Sequence, residues 1–211
     1  MTTAVVAAPV PAEALPYGPR LERILVPLHA WLIPANALVA PLLRAGLGAL
    51  VSNPVTGYLL LLRTRGRTTG RIREAPLGYV VMDGAIYVCA GFGASTAWYR
   101  NVVADDRVEV VLPARTLGGR ATPVSDPAEW LRAYRALMRS LGIVSRGVLG
   151  DVGTMDDETL LARHRSIPLV RITPTAILAG EVDPGGRSGL LGAAAWLLLA
   201  RAVLRRLRPR R

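Results

Sequence analysis

Six short apolar runs follow one another between Tyr58 and Ile172, and their close spacing limits the fold more than any other feature of this sequence. Glycine, proline and aspartate separate most of the runs, as expected for strands joined by turns. The pair Asp83-Gly84 is typical of a two-residue hairpin turn. The predicted strands are Tyr58–Thr64, Leu77–Met82, Ala85–Ala90, Arg107–Leu112, Arg120–Val124 and Leu169–Ile172. Short strands with few helices between them favour a small β-barrel in an α+β domain over a doubly wound sheet.

Two helices are predicted among these strands. A short one should begin near Ser95 or Thr96, where a hydroxyl group would cap the first amides. A longer one starts at "SDPAEW", where Asp126 is the N-cap, proline takes the first helical position, Glu129 closes a capping box and Gly142 ends the helix. Its apolar side chains recur on one face, which predicts packing against the core; they are Trp130, Tyr134, Leu137, Met138 and Leu141.

Arginine alone carries the positive charge of the chain. The 26 Lys+Arg residues include no lysine, and the formal net charge is +11. Such a surface suits phosphates, polycarboxylates or anionic lipid. We expect no nucleic-acid partner, because no nucleic-acid-binding motif is present and aromatic residues make up only 5% of the chain. One cysteine excludes an internal disulfide, and together with two histidines it cannot form a zinc site of the usual spacing.

Segments of different composition flank the domain of residues 55–181. Residues 1–20 are interpreted as a flexible leader, since they are broken by prolines and lack the basic start of a secretory signal. Residues 21–54 form an apolar helical region. The uncharged stretch from Ile24 to Leu43 has the length of a membrane span, but Pro27, Pro34 and Pro41 would kink it. This region therefore either spans or faces a membrane, or packs on the core of the domain.

Residues 182–211 join a glycine linker to an apolar segment that ends in arginines. Its uncharged part, Ser188 to Ala200, is too short to span a bilayer unless Arg201 reaches back to the interface. A basic apolar helix favours either an anionic membrane surface or a partner subunit. We therefore expect a cytoplasmic protein at the inner face of the cell membrane, and the sequence leaves a homo-oligomer open.

The stretch "TRGRTTGRIREAP", Thr64 to Pro76, places four arginines on what we expect to be a flexible loop after a buried strand. Either it is a solvated turn or it holds a multiply charged anion. Gly66 and Gly70 would allow backbone amides to turn toward one anion, and arginine side chains form bidentate pairs with phosphate or carboxylate. The familiar phosphate loop requires a lysine that this stretch lacks.

A second stretch, "CAGFGASTAWYRN" from Cys89 to Asn101, leaves a strand, crosses two glycines and enters a helix whose amino end attracts anions. Within it, "GASTA" is related to the nucleophile elbow of serine hydrolases. Ala97 replaces the last glycine of that motif, and neither histidine lies in a matching context, so we do not favour hydrolase chemistry.

Together, the two stretches resemble the family of deazaflavin (coenzyme F420)-dependent nitroreductases and quinone reductases. That family shows a strand, then TTGR-x-[ST]-G-x-x-R-x-x-P, then a strand hairpin and WY-x-N at a helix start. The counterparts here are "TRGRTTGRIREAP" and "AWYRN", followed by "DDRVEV" and "RSIPLVRITP". The resemblance covers Val55 to Pro174 and implies a split β-barrel, similar to FMN-binding barrels, with bound F420.

The resemblance implies an F420H2-dependent oxidoreductase that passes a hydride to an apolar conjugated acceptor, which is a quinone, an enone or a nitro compound. F420 carries a phosphate and an oligoglutamate tail, which arginines would hold. The residues assigned to the cofactor in this way are Arg67, Thr68, Thr69, Arg73, Pro76, Leu77, Ala90, Gly91, Phe92, Ala97, Trp98, Tyr99, Arg100 and Asn101. Three alternatives stay open: an FMN-dependent reductase of the same fold, a non-catalytic F420 carrier, and a membrane-anchored subunit whose basic loop binds lipid headgroups.

The sequence departs from the family pattern at three places. Thr68 stands where members commonly carry lysine, and Phe92 stands where they carry another basic residue near the ring. The stretch before the "IP" strand, "GTMDDETLLARHRSIP", contains no tyrosine, whereas nitroreducing members present tyrosines over the substrate there. His164 or Arg163 is a candidate proton donor, and no catalytic residue is otherwise assigned.

Overall fold

The computed structural model describes residues 39–44, 48–52, 57–112, 115–141, 155–178 and 198. Residues 39–44 are helical. The elements that follow are, in chain order, α1 (Gly48–Val51), β1 (Leu59–Arg65), β2 (Ile72–Met82), β3 (Ala85–Cys89), α2 (Ala97–Ala104), β4 (Arg107–Leu112), β5 (Arg115–Pro123), α3 (Pro127–Ser140), α4 (Asp157–His164) and β6 (Leu169–Leu178).

The strands form a closed barrel in the order β1-β2-β3-β6-β5-β4, and each neighbouring pair is antiparallel. Pairing between β1 and β4 closes the barrel. Closure leaves few exposed strand edges, which in open sheets are sites of unwanted pairing. The α+β class and the barrel expected from the short strands are therefore confirmed.

Alternating side chains divide each strand between the barrel interior and its outer face. The interior cluster draws on the strands and on α2: it consists of Leu60, Leu62, Ile86, Val88, Val102, Val108, Val110, Ala121, Val170 and Ile172. The aromatic side chains of Trp98 and Tyr99 pack against this cluster. Helix α2 therefore closes one end of the barrel with its apolar face.

Two further clusters cover the outer face. Helix α3 packs on β3 through Trp130 and Leu137, which share a cluster with Tyr87, and Leu160 of α4 joins the same cluster. On another side, the helical residues 39–44 contact Leu61, which is fully buried. A chain of ion pairs accompanies that second contact: Arg44 pairs with Glu74 at 3.0 Å, and Arg63 pairs with Glu74 at 2.9 Å and with Glu109 at 3.6 Å.

Three strands are longer than the sequence pattern predicted. β2 begins at Ile72 rather than Leu77, so half of the stretch interpreted as a flexible loop is strand. β5 begins at Arg115 rather than Arg120, and β6 continues to Leu178. A proline inside a strand removes a ladder hydrogen bond, so Pro174 is unusual within β6. The register shift between Gly118 and Gly119 admits it, since Gly119 lies opposite Pro174 while Gly118 lies opposite Ala176.

Turn and helix predictions have mixed outcomes. The Asp83-Gly84 turn joins β2 and β3 with positive φ at both residues, as a primed hairpin turn requires. Asp126 accepts a hydrogen bond from the backbone N–H of Glu129 at 2.7 Å, so the cap of α3 is confirmed. The capping box is wrong, because the Glu129 carboxylate instead accepts from Tyr87 Oη at 2.9 Å and from Arg171 Nη1 at 3.1 Å.

The remaining helices also differ from expectation. α2 begins after Thr96, as predicted, but the Thr96 hydroxyl does not cap it and donates to the Gly93 carbonyl at 3.0 Å. Helix α4 was not predicted, although Asp156 caps it by accepting from Thr159 N. α3 ends at Ser140, and the predicted stop at Gly142 lies outside the described residues.

The predictions for the two ends of the chain fall largely on residues that the structure does not describe. Most of the apolar region 21–54 and nearly all of the segment 182–211 lie outside the described residues. Within the residues that are described, no helix is both long enough and apolar enough to cross a membrane.

Candidate functional site

The antiparallel order brings both sequence motifs to the same end of the barrel. β1 ends and β2 begins at this end, and the loop Gly66–Arg71 joins them. β3 also ends there, because Cys89 lies opposite Leu169 at the start of β6. The segment after Cys89 then leads directly into α2, which covers the opening. We call this the loop end of the barrel.

The loop Gly66–Arg71 is a compact hairpin connection held by its own backbone. Gly66 N–H donates to the Arg71 carbonyl at 2.8 Å, and Gly70 N–H donates to the Gly66 carbonyl at 2.7 Å. Gly70 adopts a φ of 64°, which favours glycine. The loop itself uses the N–H donors of Gly66 and Gly70, so these two amides do not point at an anion.

Asn101 connects the two motifs. Its Oδ1 accepts from the backbone N–H of Arg67 at 3.2 Å and from Arg67 Nη1 at 3.4 Å. Its Nδ2 donates to Thr64 Oγ1 at 3.2 Å. Asn101 is 4% exposed and Thr64 is 1% exposed, so both ends of this bridge are shielded from water. Because the buried Asn101 amide is hydrogen-bonded at both its oxygen and its nitrogen, it fixes the positions of Arg67 and Thr64 relative to each other.

Five arginine side chains surround the loop end: Arg65, Arg67, Arg71, Arg73 and Arg100. Within the described parts of the chain, no carboxylate lies at ion-pair distance from any of them. The acidic groups nearest in sequence already have partners, since Glu74 pairs with Arg63 and Asp105 pairs with Arg107 at 3.0 Å. Hydrogen bonds from Arg107 hold the pKa of Asp105 below its usual value, and the charge of Arg65 adds a smaller contribution. The loop end is therefore strongly positive.

The amino end of α2 faces the same region without a side-chain cap. The Thr96 hydroxyl is turned back to Gly93, whose φ is 82°. The first amides of the helix therefore keep the partial positive charge of a helix amino terminus. Trp98 and Tyr99 follow, with ring centroids 6.0 Å apart in an edge-to-face arrangement. This combination offers donors for an anion next to an apolar aromatic surface.

The other residues assigned to the cofactor fall on different faces. Arg73 and Leu77 share the face of β2 that lines the barrel interior, and Leu77 packs against the interior cluster. Pro76 lies opposite Leu61 and shares its outer face. Thr68 and Thr69 lie exposed in the loop, and the rest lie along the segment into α2: Ala90 is buried, Gly91 and Phe92 are half-buried, and Ala97 and Arg100 are exposed.

Three titratable groups near the barrel have shifted pKa values. Burial, with a smaller contribution from Tyr58, raises the pKa of Tyr79, which packs against the interior cluster. Burial raises the pKa of the Cys89 thiol to about 12, against the opposing effect of a hydrogen bond from the Gly91 backbone. Burial, and then the charge of Arg163, lowers the pKa of His164. Tyr79 and Cys89 are therefore protonated near neutral pH.

His164 does not face the loop end. It lies 7% exposed between α3 and α4, and its Nδ1 is 3.1 Å from Tyr134 Oη. Tyr134 stacks on Trp130 with centroids 4.5 Å apart. A buried imidazole whose pKa is lowered is mostly in its neutral form at neutral pH and so does not serve as a proton donor, and this one packs outside the barrel wall. The structure therefore gives it a packing role and leaves the proton donor unassigned.

The comparisons with known proteins agree with the motifs. Residues 43–142 match the family model of the F420H(2)-dependent quinone reductase, a segment that contains β1 to β5, α2 and α3. Among solved structures, an F420-H2 dependent reductase (FDR-A) shares 20% identity with a TM-score of 0.42 over 58% of this chain and 96% of its own. A conserved hypothetical protein of Mycobacterium tuberculosis shares 19% identity with a TM-score of 0.43 over 63% of this chain and 81% of its own.

A heme storage protein of Vibrio cholerae also shows similarity, with 16% identity and a TM-score of 0.42 over 59% of this chain and 87% of its own. Likenesses this remote do not assign a ligand. The family match rests instead on the segment that holds both motifs and most of the barrel. By that match, the segment that holds both motifs is similar to the F420H2-dependent quinone reductase family, as the motifs predicted.

Proposed function

We propose that this protein transfers a hydride from reduced F420 to a quinone or a similar apolar conjugated acceptor at the loop end of the barrel. The observation that carries the proposal is the group of five arginines for which the described residues supply no carboxylate partner, beside the amino end of α2. An anion-binding surface next to an aromatic wall matches a cofactor with an uncharged ring and an acidic tail.

The acidic part of F420 would contact Arg67 and Arg73. The two side chains come from opposite sides of one hairpin, and Arg73 lies opposite Thr64, whose hydroxyl contacts Asn101. Arg100 adds a third charge from the exposed face of α2. Charge-assisted hydrogen bonds of this kind contribute roughly 1.5–3 kcal/mol each. The Thr68 and Thr69 hydroxyls are further donors within the same loop.

The ring would lie against the segment between Cys89 and α2. Gly91 and Gly93 carry no side chain and would let the backbone approach the ring closely. Trp98 and Tyr99 form an apolar wall there and would exclude water. When bound, the deazaflavin supplies the hydride. The chain's task is to hold ring and acceptor in reacting geometry, which by itself lowers a barrier substantially.

The acceptor class follows from the surroundings of the ring. Reduction of a quinone to a quinol takes up one hydride and one proton. The surfaces beside the proposed ring site are aromatic and aliphatic, from Leu77, Tyr79, Trp98 and Tyr99. Such a surface suits a flat apolar acceptor better than a charged one. Thr68 and Phe92 remove two of the family's usual basic side chains, so Arg65 and Arg71 would replace part of that charge.

We also propose that the enzyme works at the inner face of the cell membrane. The support is the composition of residues 182–211, which combine apolar side chains with a run of terminal arginines. A lipid-soluble acceptor would be reached most readily there.

A binding and turnover panel tests the proposed function. Purified protein is titrated with F420, FMN and NADPH, and F420H2 oxidation is followed with and without a quinone. We expect F420 to bind and F420H2 to be oxidised only when the quinone is present. Binding without turnover would indicate a cofactor carrier. Tight FMN binding with no F420 binding would reject the proposed cofactor and leave the barrel assignment intact.

A further inference from the structure

Asn101 accepts a hydrogen bond from Nη1 of the Arg67 guanidinium and leaves its Nε–Nη2 edge for a second partner. The Asn101 Oδ1 atom accepts from Arg67 Nη1 at 3.4 Å and from the Arg67 backbone at 3.2 Å. A guanidinium group presents donors along several edges, and the edge formed by Nε and Nη2 matches the two oxygens of a carboxylate or phosphate. No hydrogen bond within the described residues engages that edge of Arg67.

We infer that Asn101 is a positioning residue that holds Arg67 with its Nε–Nη2 edge directed at the acidic part of the cofactor. This inference rests on the proposed function, and it differs from the role that the family resemblance gave to Asn101, which was direct contact with the cofactor. Asn101 acts through Arg67, and it is itself 4% exposed.

Three features of the geometry support a positioning role. First, the amide of Asn101 uses both of its ends, since Nδ2 donates to the buried Thr64 hydroxyl at 3.2 Å. The carboxamide cannot rotate without losing a contact at each end. Second, Asn101 lies in α2, whose neighbouring Val102 is locked in the barrel interior. The amide is therefore anchored to the core, although Arg67 itself is exposed.

Third, the loop does not fix Arg67 by its own bonds. The internal hydrogen bonds of the loop join Gly66 to Arg71 and Gly70 to Gly66, and they leave the amide of Arg67 to Asn101. A neutral acceptor is also the appropriate partner here. An aspartate at this position would orient the same guanidinium but would neutralise the charge that attracts the anion.

A double-mutant cycle with two ligands tests this inference. Arg67→Ala, Asn101→Ala and the double variant are titrated with F420 and with the deazaflavin ring that lacks the phosphate and acidic tail. We expect each single change to weaken F420 binding by about tenfold, and the double variant to be little weaker than Arg67→Ala alone. Affinity for the ring without its tail should stay within about twofold of the parent. Arg132→Ala, an exposed arginine on α3, is the control and should leave both affinities unchanged.

Two conservative variants distinguish the loss of a contact from a folding defect. Thr64→Val keeps the volume of the buried side chain but removes the acceptor for Asn101 Nδ2, and it should reduce F420 affinity less than Asn101→Ala. Asn101→Asp keeps the shape and should weaken F420 binding while reducing its salt dependence, because the carboxylate pairs with Arg67.

The outcomes separate this inference from the proposed function. If the parent protein does not bind F420, the proposed function fails. If the parent binds F420 but the two single losses add in the double variant, Asn101 does not act through Arg67 and the inference fails alone. Equal losses for F420 and for the ring without its tail would show that Asn101 only supports the fold, and would also overturn the inference.

Discussion

Arg73 lies directly opposite Thr64 in the register of β1 and β2, and Thr64 is 1% exposed on the interior face. Paired residues in antiparallel strands point to the same face. The Arg73 side chain therefore leaves the sheet on the interior side at the rim of the loop end. Asn101 links Arg67 to the same position, because its side chain contacts both Arg67 and Thr64.

Replacing both Arg67 and Arg73 with alanine should weaken F420 binding by about tenfold or more, because two charge-assisted contacts to the acidic tail are lost. The dependence of the affinity on salt concentration should also become flatter. Fluorescence titration at two salt concentrations measures both effects. If the double variant binds F420 as tightly as the parent, the loop is a solvated turn.

Replacing Arg67 with lysine should also reduce F420 affinity, although the charge is kept. A compact ammonium cannot reproduce the planar pair of donors of a guanidinium, and it cannot satisfy Asn101 and an anion in the same geometry. The same titration measures the loss, with Arg132→Lys on α3 as the matched control. Equal affinities for Arg67→Lys and the parent would argue for a purely electrostatic role of this side chain.

Replacing Asp126 with alanine should lower the free energy of unfolding by about 1 kcal/mol, because α3 loses the acceptor for its Glu129 amide. Asp156→Ala is the matched change, since Asp156 caps α4 by accepting from Thr159 N at 2.8 Å. Both should leave F420 affinity unchanged, as both caps lie on the outer helices. Urea unfolding checks the prediction, and a loss of F420 affinity in either variant would place α3 or α4 nearer the site than the structure does.

Protonation of His164 should destabilise the fold. Its folded-state pKa lies below the ordinary value of 6.5, so the unfolded chain binds the proton more readily. The free energy of unfolding should therefore fall as the pH decreases below about 6.5, and it should be independent of this group above that value. In His164→Gln the decrease over this window should be smaller. An identical pH profile for parent and variant would exclude His164 as its source.

Much of the barrel could be predicted from local sequence, and the reasons are physical. β4 has the predicted bounds, and the Asp83-Gly84 turn has the predicted positive φ values, because both depend on neighbouring residues. The longer β5 and β6 could not be predicted from the local sequence. Pro174 lies beside a register irregularity, since Gly119 lies opposite Pro174 while Gly118 lies opposite Ala176. At Gly119 a Cβ atom would lie 2.9 Å from the Thr173 carbonyl oxygen, so the strands approach closely there.

The candidate site, like the barrel, could be predicted from the sequence only in part. The sequence identified the basic loop and the aromatic helix start as one site, and the topology places both at one barrel end. It could not show that the loop uses its own glycine amides, since that depends on the hairpin formed by the longer β2. The bridge from Asn101 to Arg67 spans 34 positions and leaves no local sequence signal. Helix α4 did leave a signal that was missed: a capping Asp156, acidic first-turn residues and basic last-turn residues.

A truncation after Pro184 should move the protein from the membrane fraction toward the soluble fraction and leave F420 binding intact. Each arginine near an anionic bilayer contributes about 1 kcal/mol, and the truncation removes seven arginines, five of them after Leu204, together with the apolar segment. Because residues 24–43 are a second candidate for membrane contact, a partial shift is the smallest change we expect. Unchanged fractionation together with loss of an oligomer would identify the segment as a subunit contact.

The most direct test of the proposed function is the oxidation of F420H2 by the purified full-length protein with a quinone as acceptor. The absorbance and fluorescence of oxidised F420 should return at a rate that depends on both enzyme and quinone. NADPH in place of F420H2 should support no turnover. An active protein that uses FMN or NADPH and leaves F420H2 unoxidised would contradict the account.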